Sequence, residues 1–361
     1  MVLEEDKILV PYDLSSFVGV TYPMNPGEKR MRELEVKQTM ERVRRIFEDE
    51  GSRILAGAKR EILRERIESE QIRAALEYQM SRWNDLTRPA LISLACKAVG
   101  GQPEKVSTLA KAMILTSCAM DLHDDIIDES RVRGGRPTLL GRFGRDVALL
   151  CADALLFKGL TLLSDAVNRL SPAQAKAAMR SVVKRLFELG DGEALELCFR
   201  GRTDVTPDEY LRVVWKKAAD AEAYTSVGAL LGGGKRGEVR ALGRYGRLLG
   251  VMVILRDDLA DMLDFKGEML SRVRKESLPL PVLYALRNPE TREPITAILR
   301  KKEVVEKDAE AIFNLVDKAG GLDSYARTMK SFAVRATRSL RRLRCGTTVF
   351  ELIVEVTLPA V

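Results

Sequence analysis

The sequence predicts an all-α protein, folded as a single large helical bundle with a central cavity. Apolar residues recur at helical spacing along most of the chain, and glycines and prolines separate the periodic segments, as helix ends and loops require. The alternating pattern of a half-buried strand is missing until residues 347–358. The valine, isoleucine and threonine content of that segment fits a strand or a last helix equally well.

The chain is expected to consist of a short arm and one domain. Residues 1–28 are rich in proline and predict an extended N-terminal arm, whereas residues 29–361 predict the helical domain. The composition, 46% hydrophobic, is sufficient for a large core. The helical segments are predicted at about 28–80, 87–99, 105–129, 146–169, 172–190, 207–232, 237–265, 277–287, 292–301, 306–319 and 322–344.

Composition excludes several kinds of site. The chain has 59 Lys and Arg against 52 Asp and Glu, a formal charge of +7, and this scattered excess does not distinguish nucleic acid, an anionic membrane or a phosphorylated substrate. The five cysteines show no C-x-x-C spacing, and His123 is the single histidine. A His-rich metal site and most hydrolase triads are therefore excluded, and any metal must bind oxygen ligands.

Neither a signal peptide nor a membrane span is predicted. The first residues have no basic start and no apolar run. No stretch reaches about 18 uninterrupted apolar residues, the length of a membrane span. We therefore expect a cytoplasmic protein without a transmembrane segment.

Three aspartates are the first candidates for a functional site. Asp124, Asp125 and Asp128 occupy positions i, i+1 and i+4 of a predicted helix, so Asp124 and Asp128 lie one turn apart on the same face. Like charges at this spacing repel each other, and a bound Mg²⁺ ion offsets the repulsion. One such motif alone is explained equally well as a solvated acidic turn.

The same D-D-x-x-D spacing recurs at Asp257, Asp258 and Asp261, again within a largely apolar helix. Two such motifs on apolar helices are poorly explained as accidental surface charge. If they face each other across a cavity, they can hold several Mg²⁺ ions and, through these ions, a diphosphate. The metals then stabilise departing pyrophosphate, and an apolar pocket accommodates the carbocation left behind.

Four further stretches complete a resemblance to a known family. The runs 128–138, 152–156, 192–197 and 216–233, together with both aspartate motifs, resemble the trans-isoprenyl (polyprenyl) diphosphate synthases in order and spacing. This family belongs to the class I isoprenoid synthase superfamily, and the resemblance covers about residues 80–290. It implies the isoprenoid synthase fold and a Mg²⁺-dependent prenyltransferase of isoprenoid biosynthesis, which ionises an allylic isoprenoid diphosphate and transfers its prenyl group.

The resemblance also implies roles for particular residues and partners. Arg133, Lys216 and Lys275 are expected to hold the allylic diphosphate, although the loop 265–276 is shorter than usual in the family. A homodimer is implied, with a heteromer as the alternative, no nucleic-acid partner, and contact with the membrane periphery compatible with a lipid product. The residues expected to bind Mg²⁺, three ions per site with diphosphate bound, are Asp124, Asp125, Asp128, Asp257, Asp258 and Asp261; the catalytic set is the first five of these with Lys216.

The site for the second substrate, isopentenyl diphosphate, departs from the family pattern. Either Arg82, Arg88 or Arg136 replaces the missing groups, with Arg88 the candidate substrate-binding residue, or the enzyme does not use this substrate. The departures fall at four places: Asp85 and Leu86 for a Lys-Arg pair, Ser117 for a histidine, Gly134 for a second arginine, and Val253 and Ile254 for Phe-Gln.

Chain length is predicted from residues just before the first motif. In the family, bulky residues there form the floor of the pocket for the growing chain. Here Thr116 and Ala119 are small, and Met120 is a longer neighbour. A deep pocket is implied, for substrates of about C15 to C20 or longer, unless another helix supplies the floor.

Three other functions remain open. A class I terpene cyclase shares the ionisation step and needs no isopentenyl diphosphate, but its second motif is commonly N-x-x-x-S/T-x-x-x-E. Prenyl transfer to an acceptor other than isopentenyl diphosphate also fits the altered site. A subunit of a heteromeric synthase usually loses aspartates, whereas this chain retains all six.

Overall fold

Helices make up nearly all of the regular structure. The structure, a computed structural model, describes residues 26–133, 135–343 and 346–359, without the side chains of residues 26–33, 274 and 275. Within these residues the sheet consists of one antiparallel pair, β1 (Val132–Arg133) and β2 (Arg136–Pro137). The helices are α1 (Pro26–Leu63), α2 (Glu70–Arg82), α3 (Thr87–Lys97), α4 (Ser107–Ile127), α5 (Leu139–Phe143), α6 (Arg145–Val167), α7 (Pro172–Leu197), α8 (Pro207–Lys217), α9 (Ala219–Leu231), α10 (Arg236–Leu263), α11 (Glu268–Lys275), α12 (Leu280–Ala285), α13 (Pro289–Leu299), α14 (Glu306–Lys318), α15 (Gly321–Ser339) and α16 (Thr347–Thr357). The predicted all-α class is confirmed.

The helices differ from the predicted segments in several places. Segment 28–80 is two helices, α1 and α2, segment 207–232 is two helices, α8 and α9, and the expected loop 265–276 contains α11. Segment 347–358 forms α16 and buries Phe350, Ile353 and Val354, a spacing of three and four residues that a strand does not place on one face. Residues 1–25 of the predicted arm lie outside the described residues, so the division into arm and domain stays a prediction.

Short polar signals fix where several helices begin. The Ser69 hydroxyl accepts a hydrogen bond from an N–H in the first turn of α2, and Ser171 does the same for α7. At α8, Thr206 and Glu209 form a reciprocal capping box. These side chains satisfy backbone N–H groups that have no partner inside the helix.

Helix α9 lies at the centre of the bundle, packed against α3, α7 and α10. A Cβ atom added at Gly228 of α9 would lie 2.3 Å from the Ile92 carbonyl oxygen of α3, and one at Gly246 of α10 would lie 2.2 Å from the Thr225 hydroxyl of α9. Only glycine permits this approach. The Tyr224 hydroxyl of α9 also donates to the Met113 carbonyl of α4 at 3.1 Å. The central helix therefore fixes the distance between the two helices that carry the aspartate motifs.

Helix α6 packs along α4 on one side and exposes apolar residues on the other. Among the described helices it is the one long and apolar enough, by length and composition, to cross a membrane, with a mean hydropathy of 1.8. Charged residues such as Asp153 and Lys158 interrupt its apolar run. The search of the sequence for uninterrupted apolar residues therefore did not identify this helix. Core helices share this composition, and part of α6 is buried. The cytoplasmic location expected from the sequence stays a prediction.

Candidate functional site

The first aspartate motif occupies the last turn of α4. Asp124 and Asp125 lie within the helix, and Asp128 is its C-terminal cap, with its N–H bonded to the Asp124 carbonyl. An Asp125 oxygen lies 2.9 Å from Arg133 Nη2, and an Asp128 oxygen lies 2.6 Å from Arg200 Nη2. Both arginine side chains are partly exposed, at 40% and 34%. The short β1–β2 hairpin therefore carries Arg133 back over the motif that precedes it.

Asp124 has no ion-pair partner among the described residues. Burial raises its pKa to about 6, and the charge of Asp128 adds to this shift, whereas Lys217 and Arg133 act in the opposite direction. When Asp124 is ionised, its charge is therefore incompletely compensated. A cation bound here would stabilise the ionised form.

The second motif lies in the last turns of α10. Asp257 is half exposed and lies 2.7 Å from Arg256 Nη2. Asp258 is buried, and burial raises its pKa although Arg272 and the Tyr210 hydroxyl oppose the shift. These two neighbouring aspartates thus differ in exposure and in their partners.

The two motifs are brought to one site. Glu276, which follows α11, is largely buried, and burial raises its pKa to about 7. The charges of Asp128 on α4 and Asp261 on α10 both add to this shift, so Glu276 lies close to both motifs. The two motifs therefore lie near one another, while the cavity expected between them and the roles of the individual aspartates stay predictions.

Lys217, and not the predicted Lys216, lies beside the first motif. Lys217 Nζ is 3.0 Å from a Glu193 oxygen and also contacts Glu196, and its charge acts on Asp124. Burial opposes the charge, but Glu196 and Glu193 outweigh it and hold the pKa of Lys217 above its usual value. Lys216 instead pairs with Asp191 at 2.6 Å, and both side chains are substantially exposed.

The amphipathic pattern of α8 indicates which of the two lysines lies on the buried face of the helix. Tyr210, Val213 and Val214 are buried on one face of the helix. Lys217 follows Tyr210 by seven residues and Val213 by four, so it shares their face, whereas Lys216 does not. The family spacing points to Lys216, and which of the two lysines binds a diphosphate stays a prediction.

Arg88 is enclosed by carboxylates. Its Nη1 and Nη2 atoms lie 2.8 and 3.0 Å from the two oxygens of Asp121, and further contacts reach Asp85 at 3.0 Å and Asp220 at 3.3 Å. Arg88 was predicted to bind substrate. In this structure its donors are directed at the protein's own acids.

The remaining predicted residues are placed as follows. The Ser117 hydroxyl lies 2.6 Å from the Tyr224 hydroxyl. Thr116 donates to the Ala112 carbonyl, and the approach of Gly159 places Thr116 against α6. Ala119 is buried and Met120 is half-buried, so the chain-length pocket stays a prediction. Gly134 and the side chain of Lys275 lie outside the described structure.

The site suits a metal ion that arrives with phosphate oxygens. Among the described residues no three His, Cys, Asp or Glu side chains are already arranged to enclose a cation. Mg²⁺ usually retains several waters and binds one or two carboxylates together with substrate phosphates. Asp124, which has a raised pKa and no paired cation, and one oxygen of Asp128 meet that requirement.

We expect Asp124→Asn to stabilise the metal-free protein above pH 6. The pKa of Asp124 is about 6 in the folded protein against 3.8 for an aspartate in the unfolded chain, so the wild type loses stability as pH rises between these values and the variant does not. The gain should be about 1–3 kcal/mol near neutral pH and should vanish below the lower pKa. Urea unfolding across pH measures it; an equal difference at every pH would contradict the assignment.

We expect Lys217→Met to destabilise the fold by about 2–4 kcal/mol, because it leaves two partly buried glutamates without their cation. Lys216→Met is the matched control and should cost less than about 1 kcal/mol, since its ion pair is exposed. Urea denaturation of both variants gives the comparison. Similar losses would show that burial does not distinguish the two lysines.

Comparison with known proteins gives a consistent result. The polyprenyl synthetase family profile matches residues 69–316. The chain is 31% identical over 252 residues to a short chain isoprenyl diphosphate synthase of Methanothermobacter thermautotrophicus, covering 69% of this chain and 73% of the relative. It is also 31% identical over 281 residues to a geranylgeranyl diphosphate synthase of Methanosarcina mazei, covering 76% and 85%.

The fold agrees with this assignment. A crystal structure of geranylgeranyl pyrophosphate synthetase from Pyrococcus horikoshii superposes with a TM-score of 0.77 at 26% identity, covering 88% of this chain and 98% of that one. The predicted isoprenoid synthase fold and the resemblance drawn from the sequence are both confirmed. The chain belongs to the polyprenyl synthetase family.

Proposed function

We propose that this protein is a Mg²⁺-dependent prenyltransferase that ionises an allylic isoprenoid diphosphate and transfers its prenyl group. The observation that supports this most strongly is Asp124, a buried carboxylate with a raised pKa and no paired cation beside a second aspartate motif. A divalent cation bound beside this carboxylate would lower its pKa and compensate the charge of the ionised form. Bound Mg²⁺ would supply Lewis-acid stabilisation of the leaving pyrophosphate.

The protein's own residues would bind and orient the diphosphate. Arg133 is only partly buried, so it is placed to exchange its contact with Asp125 for a phosphate oxygen, a charge-assisted contact. Lys217 stays charged beside Asp124 and is a better candidate than Lys216 for the lysine of this site. The side chains of Asp124, Asp128 and Asp257 would hold the metal.

The proposed homodimer is supported by an apolar surface on the middle helices. Phe157 of α6 is 65% exposed, and Phe187 of α7, the next helix along the chain, is 78% exposed. Leu150 and Leu160 of α6 add to this surface. Such a concentration of exposed apolar side chains is characteristic of a protein interface.

The surroundings of Arg88 favour a second candidate, transfer to an acceptor other than isopentenyl diphosphate. Three carboxylates, Asp85, Asp121 and Asp220, face this one guanidinium group, so the cluster carries an excess of negative charge. Asp121 lies one helical turn before Asp124, which places the cluster next to the metal site. An incoming diphosphate would meet acids where the family supplies cations.

The metal assignment is tested by substitution. Asp124→Ala and Asp257→Ala should each abolish pyrophosphate release from an allylic diphosphate while leaving the helical circular dichroism unchanged, because each removes a metal-binding carboxylate. Asp191→Ala, which removes the exposed partner of Lys216, is the control and should retain activity. Turnover at the wild-type rate in either motif variant would exclude the assignment.

The acceptor is tested by product analysis with C15 and C20 allylic diphosphates and Mg²⁺, with and without isopentenyl diphosphate. Each charge-assisted contact contributes about 1.5–3 kcal/mol, and two or more are missing. Isopentenyl diphosphate should therefore bind at least about a hundredfold more weakly than where those contacts are present. We expect allylic diphosphate binding to remain Mg²⁺-dependent and conventional elongation to be poor.

The products separate the alternatives. Efficient elongation at micromolar isopentenyl diphosphate would contradict the expectation and would indicate that Arg82 or Arg136 rebuilds the site. A cyclic hydrocarbon formed from the allylic substrate alone would identify a cyclase. Activity that appears only when a second synthase subunit is added would identify a heteromeric enzyme.

A further inference from the structure

The second aspartate motif already holds a cation that belongs to the protein. Arg272 of α11 reaches back to α10, where its Nη2 atom lies 2.6 Å from an Asp258 oxygen and its Nε atom lies 2.9 Å from an Asp261 oxygen. A weaker contact joins it to Glu276 at 3.7 Å. One guanidinium group thus bridges two of the three carboxylates of the motif.

The remaining oxygen of Asp258 also has a protein donor. The Tyr210 hydroxyl of α8 donates to it, and Tyr210 is almost completely buried. Asp258 is itself 3% exposed. A divalent cation could therefore bind Asp258 only by displacing Tyr210 or Arg272 from a buried position.

The arginines of the first motif are held differently. Arg133 and Arg200 each contact one aspartate of that motif, and both side chains are partly exposed, whereas the Arg272 side chain is 10% exposed. An exposed arginine can turn toward a ligand at little cost, but withdrawing Arg272 would leave two acids without their cation in the interior. Arg272 is consequently a fixed part of the second motif.

We propose that Arg272 is the resident cation of the second motif: it fills the place between Asp258 and Asp261 that a divalent ion would otherwise occupy, and leaves Asp257 as the carboxylate of this motif available to a metal. Asp257 is the most exposed of the three and lies outside the contacts of Arg272, and the buried Arg256 reaches it at Oδ1, which directs a metal to its Oδ2 atom. The inference rests on the proposed metal-dependent function. The family resemblance implies that all three aspartates of each motif bind Mg²⁺. Under this proposal the second motif offers a metal ion one carboxylate, that of Asp257.

The test counts bound Mn²⁺, a spectroscopic substitute for Mg²⁺, by electron paramagnetic resonance of the full chain with and without inorganic pyrophosphate. Arg272→Gln should bind one more Mn²⁺ ion per chain than the wild type, because Asp258 and Asp261 become free to bind metal. Arg272→Lys keeps a positive charge and should bind the wild-type number. An unchanged or lower count in folded Arg272→Gln would overturn the proposal.

A second pair of variants decides the question even if Arg272→Gln does not fold. Asp258→Asn should leave the wild-type number of bound Mn²⁺ ions unchanged, whereas Asp124→Asn should lower it. Equal losses in both variants would mean that Asp258 binds metal and that Arg272 does not occupy its place. If Asp124→Asn binds the wild-type number of Mn²⁺ ions, Asp124 does not bind metal and the proposed function loses its main support. That result differs from the one that overturns the Arg272 proposal, which is a loss of bound Mn²⁺ in Asp258→Asn.

Discussion

Clustered negative charge in the interior of a helical bundle is the constraint on which this site depends. Two aspartate motifs lie close together, with Glu193, Glu196 and Glu276 between or beside them, and burial raises the pKa of several of these acids. A buried charge is costly unless a counter-charge and hydrogen bonds accompany it. Four cationic side chains from separate parts of the chain supply this counter-charge. They are Arg133 of the hairpin, Arg200 of the turn after α7, Lys217 of α8 and Arg272 of α11. Asp124 is the acid that they leave without a direct partner.

The features that the sequence predicted are those encoded locally. Helical periodicity fixes the secondary structure, and the i, i+1, i+4 spacing places three carboxylates together on each motif helix whatever the tertiary structure. Helical periodicity also allows the position of Lys217 to be predicted, because this residue continues the buried face of α8. It does not predict the position of Arg272, since the contacts of Arg272 depend on how the short connection after α10 folds back as α11. Sequence spacing does not contain that geometry.

Arg88 shows why residue type alone does not define a binding site. An arginine near a diphosphate site suggests anion recognition, and its guanidinium group has five donors suited to that purpose. Here Asp121 accepts two of its hydrogen bonds, and Asp85 and Asp220 accept others. The same side chain therefore ties α3 to α4 and α9. Those contacts hold the turn that precedes Asp124, while a role of Arg88 in binding substrate stays a prediction.

The glycine contacts of α9 restrict how the site can open. Gly228 and Gly246 bring α3, α9 and α10 into close contact, so α10 cannot slide along α9 without steric overlap, and the Tyr224 hydrogen bond ties α4 to the same helix. Because Arg272 ties α11 to the second motif, the β1–β2 hairpin, whose Arg133 side chain is 40% exposed, is the short segment beside the motifs that can move at least cost. Since loop motion limits the rate of many enzymes, the rate of turnover would then depend on a two-stranded hairpin rather than on the helices that carry the aspartates.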